Sequence, residues 1–370
     1  MAEERQITVA IHTYERALEL ASLLEREGVK TTLQNVNLEH PIVSSGVRVR
    51  IYENDLPLAL RIIENKEVFQ GAHNDPELDK ASDILVPLDF SEHSKAACRL
   101  AFDFAKSLGA EITLLHSYLS PKLSGALQLT DTLTYDIDGE IEREALDRNA
   151  RKQLHSYASV LRTMIKKGDL PPIKMHELVA EGVPEDVIRQ YVKEHYPKMI
   201  VMGTRGAGTK ERELVGSVTA EVLDTCRVPV FTVPEGAGTS LLKMKNVLFF
   251  SNFDQEDLLA IDALHQLMPH AGLNIVWVPI PSKKIINASA ATIDGVVRYC
   301  VDKYPQYNFD VDEIRPGNIG EDYSRIASSR AIDFIAVPNK KKNALARIFN
   351  PGIAHRLLFH SDMPMMVIPV

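Results

Sequence analysis

The chain has 370 residues, which is enough for two or three domains. With 45% hydrophobic and 25% charged residues, its composition is that of an ordinary globular protein. The net charge of −8 argues against nucleic acid or an anionic membrane surface as the main partner.

The cysteines and the N-terminus bear on the cellular compartment. Cys98, Cys226 and Cys300 are widely spaced, which favours a reducing compartment without a disulfide framework. Cys98 and Cys226 fall in helical patterns, so we expect both to be buried. The chain has no Cys-x-x-Cys and no close His/Cys cluster, so no zinc site is expected. A charged N-terminus and the lack of a membrane-length apolar run favour a cytoplasmic protein.

The first predicted domain is small and covers residues 1–68. Its apolar pattern predicts the order β-α-β-β-α, with helices from Tyr14 to Glu27 and from Asp55 to Glu64. This pattern, together with the stretch Gly46 to Tyr52, resembles a family of small prokaryotic ferredoxin-like domains described as signal-transducing modules. The resemblance implies a regulatory or interaction role, and a purely structural appendage is an equal alternative. A polar linker with Gly and Pro is predicted at 67–80.

The second predicted domain covers residues 81–236 and alternates strands with helices. Its first strand, Ile84 to Leu88, leads into a helix from about Ser91 to Leu108 with one apolar face. Further strands are predicted at 112–115, 174–179, 199–202 and 230–233. Strand–helix–strand alternation is typical of parallel crossovers, so a doubly wound α/β domain is predicted.

The stretch from Met202 to Thr219 joins a buried strand to a helix and is rich in glycine. Gly203 and Gly206 lie at the strand exit, and Gly216 precedes Ser217 at the start of the helix. Glycine permits close approach of a ligand, and a helix N-terminus offers free N–H groups and a positive dipole end. The stretch therefore predicts a phosphate-binding loop. It is a near miss to a P-loop, because Thr209 precedes Lys210, whereas the P-loop motif has Lys before Ser or Thr.

Other polar residues follow the predicted strands. Asp89 can accept hydrogen bonds from ribose hydroxyls or from a base amine, and helix N-capping is the plainer alternative. His116 and Ser117 end the second strand, where the edge of a base could lie, although we favour no catalytic role for His116. Phosphate oxygens can be met by one cation and two hydroxyls: Arg205, Ser217 and Thr219.

Residues 244–370 are predicted to repeat the second domain. The first strand matches at an offset of 163 residues (Asn252 against Asp89), and later positions match at 135 (Gly317 against Gly182). The glycines of the loop are replaced in this copy by Pro338, Lys341 and Pro351. Proline lacks an N–H and fixes φ, so the second copy is not expected to hold a phosphate in the same way.

Three motifs resemble the universal stress protein family. Gly203-x2-Gly206-x9-Gly216-Ser217 is similar to the ATP-binding pattern of that family, and Val86-Pro-Leu-Asp89-x-Ser91 to its opening strand. The run Cys226 to Val233 is similar to its closing strand. The resemblance implies two tandem, Rossmann-like domains, 81–236 and 244–370, after the small α+β domain. Each would have a doubly wound five-stranded parallel sheet of order 3-2-1-4-5, and the second copy is degenerate.

The resemblance also implies a ligand and its contacts. ATP, ADP or AMP is the expected ligand, with Mg²⁺ as a further candidate. Family members of this type pair through the last strand, which a tandem chain can do internally; a homodimer and an unidentified protein partner are the other candidates. Neither catalytic residues nor protein ligands for a metal are implied. The expected binding positions, with Ser117 added from its place at a strand end, are Pro87, Leu88, Asp89, Ser117, Met202, Gly203, Arg205, Gly206, Gly216, Ser217, Val218 and Thr219.

The sequence pattern and the family resemblance leave three possible functions. The main hypothesis is a regulatory, non-metabolic stress-response protein in which nucleotide occupancy sets a conformational or partner state. The enzyme alternative is a slow ATPase or phosphotransferase, for which Lys210, Glu211 and Glu213 are candidates near a γ-phosphate. The third is a nucleotide-free scaffold that uses the first domain and the second copy as docking surfaces.

Overall fold

The structure is a computed structural model that describes most of the chain. The described residues are 6–12, 14–35, 47–56, 58–59, 62, 83–119, 137–205, 216–225, 227–237, 240–251, 253, 255–269, 272–279, 290–315, 319–339 and 363–370. The linker predicted at 67–80 lies outside them, as does Cys226. The chain divides into two compact units, and the predicted domain limits stay predictions. One unit comprises Met1–Pro76, Leu248–Asp262 and Gly272–Arg330, and the other Glu77–Val247, Ala263–Ala271 and Ala331–Val370.

The first unit begins with a small antiparallel sheet of order β1-β3-β2. Its elements are β1 (Gln6–His12), α1 (Tyr14–Arg26), β2 (Thr31–Asn35) and β3 (Val47–Tyr52). Leu20, Leu24, Val49 and Ile51 are fully buried, because the helix packs on one face of the sheet. A 3-10 turn at Glu53–Asp55 then leads into helical residues that include Leu56 and Ala59, within the second predicted helix.

The rest of the first unit holds strands in the order β11-β10-β9. The single tryptophan, Trp277, is fully buried, and its ring lies 5.6 Å from that of Phe249 and 5.2 Å from that of Phe253. An aromatic core therefore packs beside these strands. The elements that contribute to this part of the chain are β9 (Asn246–Ser251), α6 (Gln255–Leu267), β10 (Asn274–Pro279), α7 (Ala290–Lys303), β11 (Asn308–Val311) and α8 (Ile319–Ser329).

A charged pair in the first unit makes its stability depend on pH. Asp322, in the first turn of α8, has a 3% exposed side chain and accepts three hydrogen bonds from the backbone and guanidinium of Arg315. These bonds hold the pKa of the Asp322 carboxyl at about 2, below its ordinary 3.8. A depressed pKa stabilises the fold above the unfolded value, and the stabilisation is lost as pH falls towards the folded value.

We therefore expect Asp322→Asn to remove part of the acid sensitivity. The difference in unfolding free energy between wild type and variant should be constant above about pH 5 and shrink between about pH 4 and pH 2. Urea titrations at several pH values measure this difference. A difference that does not change with pH would contradict the assignment.

Among its described residues, the second unit has seven strands, in the order β12-β13-β8-β7-β4-β5-β6. The pairs β4–β5, β4–β7, β5–β6 and β7–β8 are all parallel. The prediction of an α/β fold with a mostly parallel sheet is thus confirmed. The strands are β4 (Asp83–Pro87), β5 (Glu111–Tyr118), β6 (Met175–Glu181), β7 (Met199–Gly203), β8 (Val230–Val233), β12 (Phe334–Asn339) and β13 (Met365–Pro369).

In the described part of the chain, four helices accompany strands β4 to β8. They are α2 (Glu92–Leu108), α3 (Ile137–Lys167), α4 (Pro184–His195) and α5 (Ser217–Thr225). Ser91 caps α2 by accepting from the Ser94 N–H at 3.2 Å, and Gly109 ends it with a φ of 60°. The predicted apolar face of α2 is buried, and burial raises the pKa of the Cys98 thiol on that helix to about 12. No helix among the described residues is both long and apolar enough to cross a membrane.

Strand β8 lies at one edge of the five strands β4 to β8, and strand β13 of the same unit covers that edge. β8 pairs antiparallel with β13, so that Phe231 faces Met366 and Val230 faces Val367. The Phe231 ring is fully buried and lies 5.2 Å from that of Phe104 on α2. Burying a side chain of this size stabilises a fold by roughly 1.5–3 kcal/mol, so this contact is part of the core.

Candidate functional site

A cavity of about 420 Å³ opens at the carboxyl ends of β4, β5 and β7. The carboxyl ends of parallel strands meet at one edge of a sheet, and ligands of doubly wound folds bind outside that edge. Every predicted binding residue that the structure describes lines this cavity, while Gly206 lies outside the described residues. The lining consists of Pro87, Leu88, Asp89, Ser94, Leu115, His116, Ser117, Pro184, Ile188, Met202, Gly203, Arg205, Gly216, Ser217, Val218 and Thr219.

One end of the cavity is formed by the exit of β7 and the start of α5. The Thr204 carbonyl accepts from the Gly216 N–H at 2.8 Å, and the Thr204 N–H donates to the Val233 carbonyl at 3.1 Å. These bonds hold the strand exit and the helix start together. The Gly216 carbonyl accepts the first bond of α5, from Ala220 at 3.0 Å. The N–H groups at the very start of a helix have no intrahelical acceptor, so this end favours an anion.

Asp89 lies at the carboxyl end of β4, and the structure corrects its alternative role. Ser91, not Asp89, is the N-cap of α2. Asp89 instead orders the cap, because its Oδ1 accepts from the Ser91 N–H at 3.1 Å and from the Ser91 hydroxyl at 2.6 Å. Its exposed carboxylate lines the cavity and can accept from ligand hydroxyls.

Apolar side chains from β4, β5 and α4 form part of the cavity wall. Leu88 and Leu115 are almost fully buried, and Pro184 and Ile188 contribute from the first turns of α4. The His116 side chain also lines the cavity, and its Nδ1 lies 2.7 Å from the Leu88 carbonyl oxygen. An apolar slot with a few polar atoms suits a flat aromatic ring.

The Thr219 hydroxyl has a different role from the predicted one. It is buried and donates its hydrogen to the Gly203 carbonyl oxygen at 2.9 Å. A hydroxyl has one hydrogen, and phosphate oxygens only accept, so in this arrangement the Thr219 hydroxyl cannot also donate to a phosphate. It fastens α5 to the end of β7. Arg205 and Ser217 line the cavity, and their phosphate contacts stay a prediction.

Comparison with known proteins agrees with this architecture. Residues 81–234 match the family model described as the universal stress protein family. Universal stress protein MJ0531 of Methanocaldococcus jannaschii is 28% identical over 151 residues, covering 40% of this chain and 80% of that protein. YxiE of Bacillus subtilis is 25% identical over 155 residues, covering 40% of this chain and 97% of that protein.

Residues 81–234 are a universal stress protein family domain. A solved universal stress protein from Archaeoglobus fulgidus shares the fold more widely. Its structure matches 78% of this chain and 98% of its own, with a TM-score of 0.55 at 18% identity. At 18% identity, this structural similarity shows only that the two proteins share a fold.

One glycine of the universal stress protein domain has a structural reason that the sequence did not reveal. Because the predicted second copy replaces the loop glycines with Pro338, Lys341 and Pro351, the sequence predicts that a ligand, rather than the packing of the sheet, explains them. A Cβ on Gly203 would lie 2.8 Å from the backbone carbon of His93 and 2.9 Å from the Ser94 nitrogen. Real Cβ atoms essentially never approach backbone so closely. The packing of α2 on β7 thus requires glycine at 203 whether or not a ligand binds.

The universal stress protein domain also brings residues to the cavity that were not predicted as binding positions. These are Ser94, Leu115, Pro184 and Ile188, and they are joined by His116, which was placed beside a base edge but not among the expected binding positions. Pro184 had a recognisable signal, since it follows Gly182 at the first position of a helix. Leu115 could have been found as the strand neighbour of His116 and Ser117.

The catalytic alternatives are not tested by this geometry. Lys210, Glu211 and Glu213 lie outside the described residues. Within the part of the chain that the structure describes, no group of three or more His, Cys, Asp or Glu side chains is placed to hold a metal ion.

Proposed function

We propose that the universal stress protein domain binds one adenine nucleotide, ATP, ADP or AMP, and that its occupancy regulates a partner or conformational state in the cytoplasm. The single observation that carries the proposal is the polarity of the 420 Å³ cavity. Arg205 and the start of α5 lie beyond β7, whereas the buried Leu115 lies on β5, two strands away in the sheet. A nucleotide has the same division into an anionic and an aromatic part.

The anionic end would hold the phosphates. Free N–H groups at the start of α5 and the positive end of the helix favour a phosphate there. Arg205 adds a cation, and the exposed Ser217 hydroxyl adds a donor. If Mg²⁺ accompanies the nucleotide, phosphate oxygens and water would supply most of its ligands.

The remaining walls fit the nucleoside. Asp89 offers carboxylate oxygens for the ribose hydroxyls, which are donors. Leu88, Leu115, Pro184 and Ile188 offer apolar surface for the base. The strand order β5-β4-β7 places Leu115, Asp89 and Arg205 in that sequence along the edge of the sheet, which supports a nucleotide over a simple anion.

We further propose that residues 244–370 are a degenerate second copy that holds no nucleotide, and that the copies pair through their last strands. A shared backbone feature supports the repeat: Phe90 and Phe253, related by the offset of 163, both have positive φ, 63° and 56°. In the second copy the fully buried Ser251 hydroxyl donates to Asp257 at 2.7 Å. Their equivalents at that offset, Leu88 and Ser94, line the cavity of the first copy.

Calorimetry with ATP on the full chain tests both proposals. We expect one nucleotide per chain. We expect Arg205→Gln to weaken binding by about tenfold or more, since hydrogen bonds to charged groups contribute about 1.5–3 kcal/mol. Arg227→Gln is the matched control, because Arg227 is exposed and does not line the cavity. The absence of a heat of binding in the wild type would contradict the proposed nucleotide site. Binding of two nucleotides per chain would contradict the proposal that the second copy holds none.

Turnover distinguishes regulation from catalysis. A regulatory site should return bound ATP unchanged after many hours, whereas a slow ATPase would convert it to ADP. Chromatography of nucleotide incubated with wild type and with Arg205→Gln measures this directly. Conversion in the wild type that is lost in the variant would favour the enzyme.

A further inference from the structure

His116 joins two strands at the edge where the cavity opens. Its Nδ1 lies 2.7 Å from the Leu88 carbonyl oxygen. A carbonyl oxygen only accepts hydrogen bonds, so Nδ1 must carry the hydrogen. The Leu88 N–H donates in turn to the Leu115 carbonyl at 2.8 Å. Leu88 is therefore held through both of its backbone polar groups, one residue past the end of β4.

Those bonds fix the backbone just before Asp89. The Asp89 carboxylate lines the cavity and accepts from Ser91 through Oδ1. The next residue, Phe90, has a φ of 63°, which is uncommon for a residue with a side chain. The Phe90 ring lies 4.6 Å from the His116 ring, between centroids. One imidazole thus contacts the chain on both sides of Asp89.

We infer that His116 is a positioning residue of the nucleotide site. Its Nδ1–H holds the Leu88 carbonyl and so sets the direction in which the Asp89 carboxylate enters the cavity. This role rests on the proposed nucleotide site but not on which adenine nucleotide binds. Nδ1 carries a hydrogen in the imidazolium as well, so protonation of the ring keeps the bond.

Two amide variants separate the donor from the ring. In His116→Asn the amide nitrogen can lie near the position of Nδ1, whereas in His116→Gln it lies near that of Nε2. Both variants lose the aromatic contact with Phe90, so each controls for the other in stability. We expect the Asn variant to bind ATP at least about fivefold more tightly than the Gln variant, because that is the affinity difference to which one net hydrogen bond corresponds. Calorimetry on the full chain measures both.

Hydrogen exchange without nucleotide gives a second readout. Peptides that span residues 88–94 report the Ser91 and Ser94 amides, which donate to Asp89 Oδ1 and Ser91 Oγ. We expect these amides to be protected in wild type and in His116→Asn, and to exchange faster in His116→Gln. This pattern in a chain that binds no ATP would refute the proposed function, although it would still show that the Nδ1 hydrogen orders the segment around Asp89.

Two results would overturn the positioning role while the proposed function survives. One is measurable and equal ATP affinity in the Asn and Gln variants. The other is tighter binding by His116→Gln, which would assign the role to Nε2 and to direct contact with the ligand.

Discussion

Replacing Ser217 with proline is expected to weaken ATP binding by about a hundredfold while leaving the fold intact. Ser217 is the first residue of α5, a position where proline is tolerated because its N–H has no intrahelical acceptor. The substitution removes both the N–H and the hydroxyl from the cavity wall. Two hydrogen bonds to a charged group are together worth about 3 kcal/mol or more. Calorimetry with ATP measures the loss.

Ser217→Ala is the matched control, because it removes the hydroxyl and keeps the N–H. We expect Ser217→Ala to bind ATP about tenfold less tightly than the wild type. Its binding free energy would then lie midway between those of the wild type and Ser217→Pro. The melting temperatures of all three unliganded chains should agree within a few degrees. Wild-type affinity in Ser217→Pro would show that no phosphate lies at the start of α5.

Gly203→Ala is expected to destabilise the unliganded protein by about 3 kcal/mol, at the upper end of the usual effect of overpacking. The added Cβ would meet backbone atoms of His93 and Ser94 at 2.8–2.9 Å. These atoms belong to the first turns of α2, whose Ser91 cap and Asp89 contacts would have to shift with them. Urea denaturation without nucleotide measures the change.

Gly236→Ala controls for the loss of a glycine as such, because a Cβ at 236 would meet no atom within 4 Å. We expect that variant to be close to wild type. Should Gly203→Ala instead keep full stability and lose only ATP affinity, the glycine would be explained by a ligand and the packing argument would be wrong.

The α/β fold could be predicted because its signals are local and repeated. Apolar runs such as Ile84 to Leu88 alternate with helices whose apolar face is evident, as in α2. Asp89 and the residues near Gly216 could be placed at one site because parallel strands end at the same edge. The family resemblance named individual contacts, and those that the structure describes do line one cavity.

The remaining features depend on contacts between distant parts of the chain. The sequence shows that position 203 is glycine, but not that α2 passes within 3 Å of where its Cβ would be. It offers Thr219 as a phosphate contact, but not that the hydroxyl is already bonded to a carbonyl sixteen residues away. Pro184 and Ile188 come from a helix far from the loop in sequence, and only the packing of α4 brings them to the cavity.

The pairing of β8 with β13 has a thermodynamic consequence. Two strand edges that meet between separate molecules come apart on dilution, because their association depends on concentration. Here both strands belong to one chain, and the pairing Phe231 to Met366 is an intramolecular step. Its extent is set by the effective concentration of one segment near the other, and so it stays the same however little of the protein a cell contains.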